Sequence, residues 1–256
     1  MLPKEHGAYG QIILPLITAF AVAGLSAAGL LFAAAVIAGF LAHEPALVLL
    51  GLRGPRAKRE LRSSAMRWLA ASLIVGAAAA SGALVAINPA TRWSVVVPLV
   101  PALLLTIAIV SGREKSWYGE VAASLAFAGT SVPISMAAGA PIATALAIAI
   151  PFVLLFVAST LAVRVVILQV RRGGDRQAAT TTRRAAFLVA GCGAALLAWA
   201  ALSNVLPGSA LAAATPGLAT AVAVAAKPPS PARLRVLGWT LVAVSIATAA
   251  IVIVAI

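Results

Sequence analysis

The chain has 256 residues, 62% of them hydrophobic and only 10% charged, and its mean hydropathy is +1.07. A soluble domain carries about a quarter charged residues, so this composition excludes a globule covered by water-compatible surface. The net charge of +13 does not point to nucleic acid, because no basic face alternates with stacking aromatics. Lys and Arg at the loops of a membrane protein instead hold those loops inside and meet anionic lipid headgroups.

The apolar residues come in runs of roughly 20, the length of helix that crosses ~30 Å of hydrocarbon. They do not alternate with polar residues, so helices and not barrel strands are expected. In chain order the expected spans are residues 9–23, 29–50, 68–87, 93–111, 117–138, 141–169, 185–206, 208–226 and 237–256. The uncharged stretch from Ile12 to Ala42 is too long for one crossing and is divided at Gly24, Ser26 and Gly29. Lys4 is balanced by Glu5 and a second apolar span follows at once, so the first span does not read as a cleavable signal. The expectation is one polytopic, all-α integral membrane domain over residues 1–256, with about nine transmembrane helices.

Charge tests this count independently. With the N-terminus in the cytoplasm, the inner connections are 51–67, 112–116, 170–184 and 227–236. With Lys4 and the adjoining helix ends they hold 18 of the 19 Lys and Arg residues, and the outer connections hold only Arg92. All six acidic residues fall on the same inner side. The positive-inside rule then gives an N-terminus in the cytoplasm and a C-terminus outside, and an inner membrane is the expected location. Trp68, Trp93, Trp117 and Trp239 open spans and Trp199 lies near the end of another, as an interfacial belt does. Pro15, Pro98, Pro101, Pro133 and Pro151 lie inside spans and are expected to bend them.

Ionisable groups at membrane depth are costly and mark candidate sites. Glu44, with His43 beside it, lies about two turns inside the second span; Glu120 lies about one turn into the fifth; Arg164 and Gln169 lie in the last turns of the sixth. All belong to the inner third of the membrane. Two readings stand: the groups line one polar chamber, or Arg164 pairs with Glu44 or Glu120 and simply locks helices together. Before the first span, Lys4, Glu5 and Tyr9 read as a snorkelling interface cap; His6 and Gln11 add polar groups that such a cap would not need, and the alternative is a segment that folds over a chamber mouth. The two long inner loops are rich in arginine. Arg53 and Arg59 lie in the first, Arg171, Asp175 and residues Thr180 to Thr182 in the second, and such groups suit phosphate binding as well as topology control. Two histidines, His6 and His43, are too few for a multi-histidine metal site, and the single Cys192 provides no thiolate cluster.

The opening PKEHGAYG, the later HEP and the segment REKSWYGE resemble the YwiC-like family of bacterial membrane proteins. In layout, nine spans with charged loops after the second and sixth are similar to the UbiA-type intramembrane prenyltransferases. That second resemblance implies a helical bundle in which two Asp-rich motifs hold Mg²⁺ against a prenyl diphosphate. Gly174-Asp175-Arg176-Gln177-Ala178 resembles the end of the second motif, but Arg171 stands where its first Asp belongs, and the region of the first motif offers Glu44 alone. A hard cation wants several oxygen ligands, so Mg²⁺ lacks its usual carboxylates here.

Three functions follow as expectations. One is a cytoplasm-facing chamber that binds an amphiphilic isoprenoid, lipid or quinone-type ligand with an anionic head. In a diverged-transferase version Glu44 or Glu120 is the acid–base group, and Arg53, Arg59, Arg164 and Arg171 clamp the anion. The others are a small-solute permease and an accessory subunit of a membrane complex. No inverted repeat and no midplane ionisable residue supports the permease.

Overall fold

A computed structural model describes residues 6–170 and 176–256, and among them every regular element is a helix. In chain order these are α1 (His6–Ala23), α2 (Ala27–Leu50), α3 (Pro55–Ala86), α4 (Val96–Val110), α5 (Trp117–Gly129), α6 (Ser131–Ala137), α7 (Ile142–Val170), α8 (Arg176–Leu202), α9 (Gly208–Ala226) and α10 (Leu234–Ala255). A 3₁₀ turn, Pro89–Val95, runs directly into α4, and a second, Pro231–Arg233, into α10. Eight segments are long and apolar enough to cross a bilayer, with Trp117–Ala137 counted as one, and the shorter α1 supplies the ninth. The protein is an all-α, multi-pass membrane protein.

The breaks follow local chemistry. Gly24 at φ 90° ends α1, and Ser26 caps α2 by accepting from the Gly29 amide at 3.0 Å. Gly51 closes α2 at φ 82°, in the left-handed region where a Cβ would be strained, and its amide reaches back to Leu47 and Val48. Gly112 does the same after α4 at φ 67°. The fifth span is broken between α5 and α6. Pro133 has no amide to give the Gly129 carbonyl, and beside that break the Thr130 and Ser131 hydroxyls donate to the Phe127 and Ala128 carbonyls at 2.6 and 2.8 Å.

Two expected loops turn out to be largely helix. The basic stretch 51–67 was expected to connect spans, but α3 begins at Pro55, and residues 176–184 likewise form the first turns of α8. The physical reason is that apolar runs report immersion in hydrocarbon. A helix that satisfies its own backbone has no need to stop at the interface.

α7 is the hub, packing on α1, α5, α6, α8, α9 and α10. Close approach depends on small residues: a Cβ on Gly193 of α8 would lie 2.5 Å from Leu154, and one on Gly217 of α9 2.5 Å from Leu155. α10 packs back on α1, and α1 on α5 and α6. Two parts stay peripheral. α4 packs on α5, while α3 packs on α2, which joins the bundle through α6. Ile12, Leu16, Ala33 and Ile134 form the buried cluster at that junction. An edge-to-face series, Tyr9 to Phe40 at 5.1 Å and Phe40 to Phe127 at 5.9 Å, links α1, α2 and α5.

Candidate functional site at the charged end

The alternation of antiparallel helices brings the ends of α2, α4 and α7 and the starts of α3, α5 and α8 to one end of the bundle. Besides the exposed Arg56–Glu60 pair on α3, three close acid–base contacts lie there among the described residues. Glu44, 5% exposed on α2, is gripped by Arg53 from the α2–α3 turn: Nε donates to Oε1 at 3.0 Å, and Nη2 donates to Oε2. Neighbouring His43 places Nε2 3.4 Å from Oε2 of Glu114 in the α4–α5 loop. That carboxylate oxygen is buried and, among the described residues, takes no hydrogen bond. On α7, Arg164 donates through Nη1 both to Oε2 of Glu120 at 2.9 Å and to the Lys115 carbonyl at 3.1 Å.

Glu44, Glu120 and Arg164 therefore occupy separate pairs: Arg164 meets Glu120, and Glu44 has a partner only nine residues away. The pairs are nonetheless linked by the short loop 111–116. Glu114 leans on α2 and Lys115 on α7, while Ser116 caps α5 by accepting from the Gly119 amide at 3.3 Å. One layer further in, Ser124 and Thr160 meet at 3.2 Å and tie α5 to α7.

Arg164 also floors an open cleft of about 370 Å³ between α5, α7 and α8. Trp117 and Leu168 form its apolar wall, and Gln177, Thr181 and Thr182 form a polar one. Both bonds of Arg164 use Nη1, and among the described residues its Nη2 and Nε make no hydrogen bond. That leaves a donor edge of the kind that holds phosphate or carboxylate. Gln169 is exposed at the end of α7, and Arg59 is exposed on α3 away from this cleft. His6 opens α1, but its side chain lies outside the described residues, as do Arg171 and Asp175 altogether. Trp117 reads in sequence only as an interface anchor, and Gln177 carries no signal of its own.

The carboxylates do not suit the Mg²⁺ that the prenyltransferase resemblance implies. Both oxygens of Glu44 are held by one guanidinium. A hard cation needs several free oxygens in one place, and among the described residues no group of three or more His, Cys, Asp or Glu comes together.

A model of one family, described as YwiC-like protein, matches residues 2–134, which is just over half of the chain. The chain belongs to the YwiC-like family. The match covers α1 to α5 and most of α6, and with them His43, Glu44, Arg53, Glu114 and Glu120. The α7 and α8 walls of the cleft in this YwiC-like protein lie beyond the matched stretch. No curated protein and no solved structure matches the chain.

Proposed function

We propose that this YwiC-like protein sits in the bacterial inner membrane with its charged end in the cytoplasm and binds there an amphiphilic isoprenoid or lipid-type molecule with an anionic head. The observation that carries this reading is the unused guanidinium edge of Arg164 in a cleft with one apolar and one hydroxyl-bearing wall. The head would take the arginine donors and the Thr181 and Thr182 hydroxyls, and the tail would leave along Leu168 and Trp117 toward lipid. Glu44 and Glu120, the acid–base candidates of a diverged transferase, each already accept from an arginine. Carboxylates already engaged by guanidinium groups favour binding over group transfer. Anionic headgroups of the surrounding leaflet would meet basic residues next to the apolar spans, such as Arg67 and Arg235.

Thermal stabilisation of the purified protein tests this. Farnesyl diphosphate and a short-chain quinone are added separately, each with Mg²⁺ and with chelator. The expected result is stabilisation by the diphosphate that ignores the chelator and disappears in Arg164→Gln. Absence of any response at high ligand, or an undiminished response in Arg164→Gln, would overturn the proposal.

A further inference from the structure

α3 is longer than a crossing needs: its 32 residues make about 48 Å of helix against ~30 Å of hydrocarbon. Its register on α2 is fixed by two close approaches. A Cβ on Gly76 would stand 3.4 Å from Ala38, and one on Gly82 3.2 Å from Leu31. Toward the turn the two helices stay together: a Cβ on Gly51, just past the end of α2, would stand 3.5 Å from Lys58 Cδ, so only the first turn of α3 lies beyond the end of α2. Residues 55–63 are almost all exposed.

Magnitudes decide what can reach this projection. Trp68 opens the apolar part of α3 and marks the interface. The headgroup layer is only about 5–8 Å thick on each side. Arg62 stands about 9 Å beyond Trp68 along the helix, and Lys58 and Arg56 about 15 and 18 Å. Neither glycine nor proline interrupts residues 56–75, so the helix has no bend that would lay it on the bilayer. A tilt of about 20° shortens the reach by only a few per cent.

Most basic residues of the projection lack acidic partners among the described residues. Arg56 pairs with Glu60 at 2.8 Å, but Lys58, Arg59 and Arg62 meet no carboxylate among the described residues. Of the other described carboxylates at this end, Glu44 is held by Arg53 and Glu120 by Arg164, while Glu114 faces His43. The first turn of α3 contains no acidic residue, and its Gly54 cap supplies no side chain, so cations crowd the positive end of the helix dipole. Leu52 lies 3.6 Å from where a Cβ on Gly112 would stand, which brings exposed Arg113 to the same side.

The geometry points to residues 55–63, with Arg113, as a docking surface for an acidic segment of a partner protein in the aqueous phase, in place of the headgroups of the protein's own bilayer. Charge complementarity supplies the attraction, and the reach of the helix excludes the lipid from its tip.

The test uses the full-length protein in nanodiscs of zwitterionic phosphatidylcholine and a fluorescent, Glu/Asp-rich peptide as probe. The expected result is saturable, salt-sensitive binding that a Lys58→Ser, Arg59→Ser, Arg62→Ser triple variant weakens by about tenfold. A control triple at the same end, Arg176→Ser, Arg184→Ser, Arg235→Ser, should bind nearly as the parent does. All six side chains are exposed, and equal melting temperatures check that both variants fold. Equal weakening by both triples would reduce the effect to net charge and overturn the proposal, as would no binding at all. Displacement of the peptide when anionic lipid enters the nanodisc would also overturn it, by assigning the surface to headgroups.

Discussion

Arg53 holds Glu44 by two edges at once, reaching back from the α2–α3 turn so that both carboxylate oxygens face one guanidinium. The turn that permits this is closed by Gly51 in its left-handed conformation. The helix end and the buried charge are thus parts of one local construction, completed within nine residues of chain.

Breaking that pair from one side should be far worse than removing it whole. Arg53→Ala leaves a carboxylate that is 5% exposed without its main partner, and the expected cost is about 3–5 kcal/mol. The double variant Glu44→Leu, Arg53→Leu should recover most of it. Reversible unfolding in mixed detergent micelles measures both, and a single variant as stable as the parent would show that the pair does not hold this end together.

Arg164 and Glu120 should be energetically coupled. A double-mutant cycle with Arg164→Gln and Glu120→Gln is expected to give about 0.5–3 kcal/mol of interaction energy. Arg164→Lys should not fully restore the parent, because the shorter lysine stem carries its ammonium short of the place from which Nη1 donates to both the Glu120 carboxylate and the Lys115 carbonyl. Additive single effects in the same unfolding assay would refute the coupling.

Gly119 is the most constrained glycine near the cleft. A Cβ there would run into the backbone carbonyl of Glu114, which no rotamer change relieves, whereas Gly39 has open space around it. Gly119→Ala should destabilise by about 1–3 kcal/mol and displace the loop that braces Arg164. Gly39→Ala should be neutral or slightly stabilising. Melting curves of the two variants make the comparison, and equal stability would show that the loop yields freely.

Sidedness is checked by labelling. In a Cys192→Ser background, Lys58→Cys and Arg92→Cys, both exposed, should react with a membrane-impermeant maleimide from opposite sides of intact inverted vesicles. The first is expected to label from the cytoplasmic side. Labelling of both from one side would break the nine-crossing topology.

Much of the fold could be read from the sequence because lipid makes a simple demand. Expected span 208–226 coincides with α9, and the division of the long first apolar run at Gly24 and Ser26 is where α1 gives way to α2. Hydropathy fails where helix continues into water, which is why the starts of α3 and α8 were expected as loop. It also misses the break between α5 and α6, since a proline in lipid signals a bend without saying whether nearby hydroxyls will complete it. The ion pairs were half legible. Depth singled out Glu44, Glu120 and Arg164, but pairing depends on which helices are neighbours. Nothing in the spacing tells that Arg164 meets Glu120 across 44 residues while Glu44 turns to a loop arginine.

The peripheral position of α3 has an evolutionary consequence. A helix that packs mainly on α2 among the described residues answers to lipid over most of its surface, and lipid accepts any apolar side chain. Among homologous chains, α3 should therefore drift freely between Leu, Ile, Val and Ala, keeping fixed little beyond the glycines that touch α2. α7, surrounded by six helices, has no such freedom, and its divergence should be the slowest in the molecule.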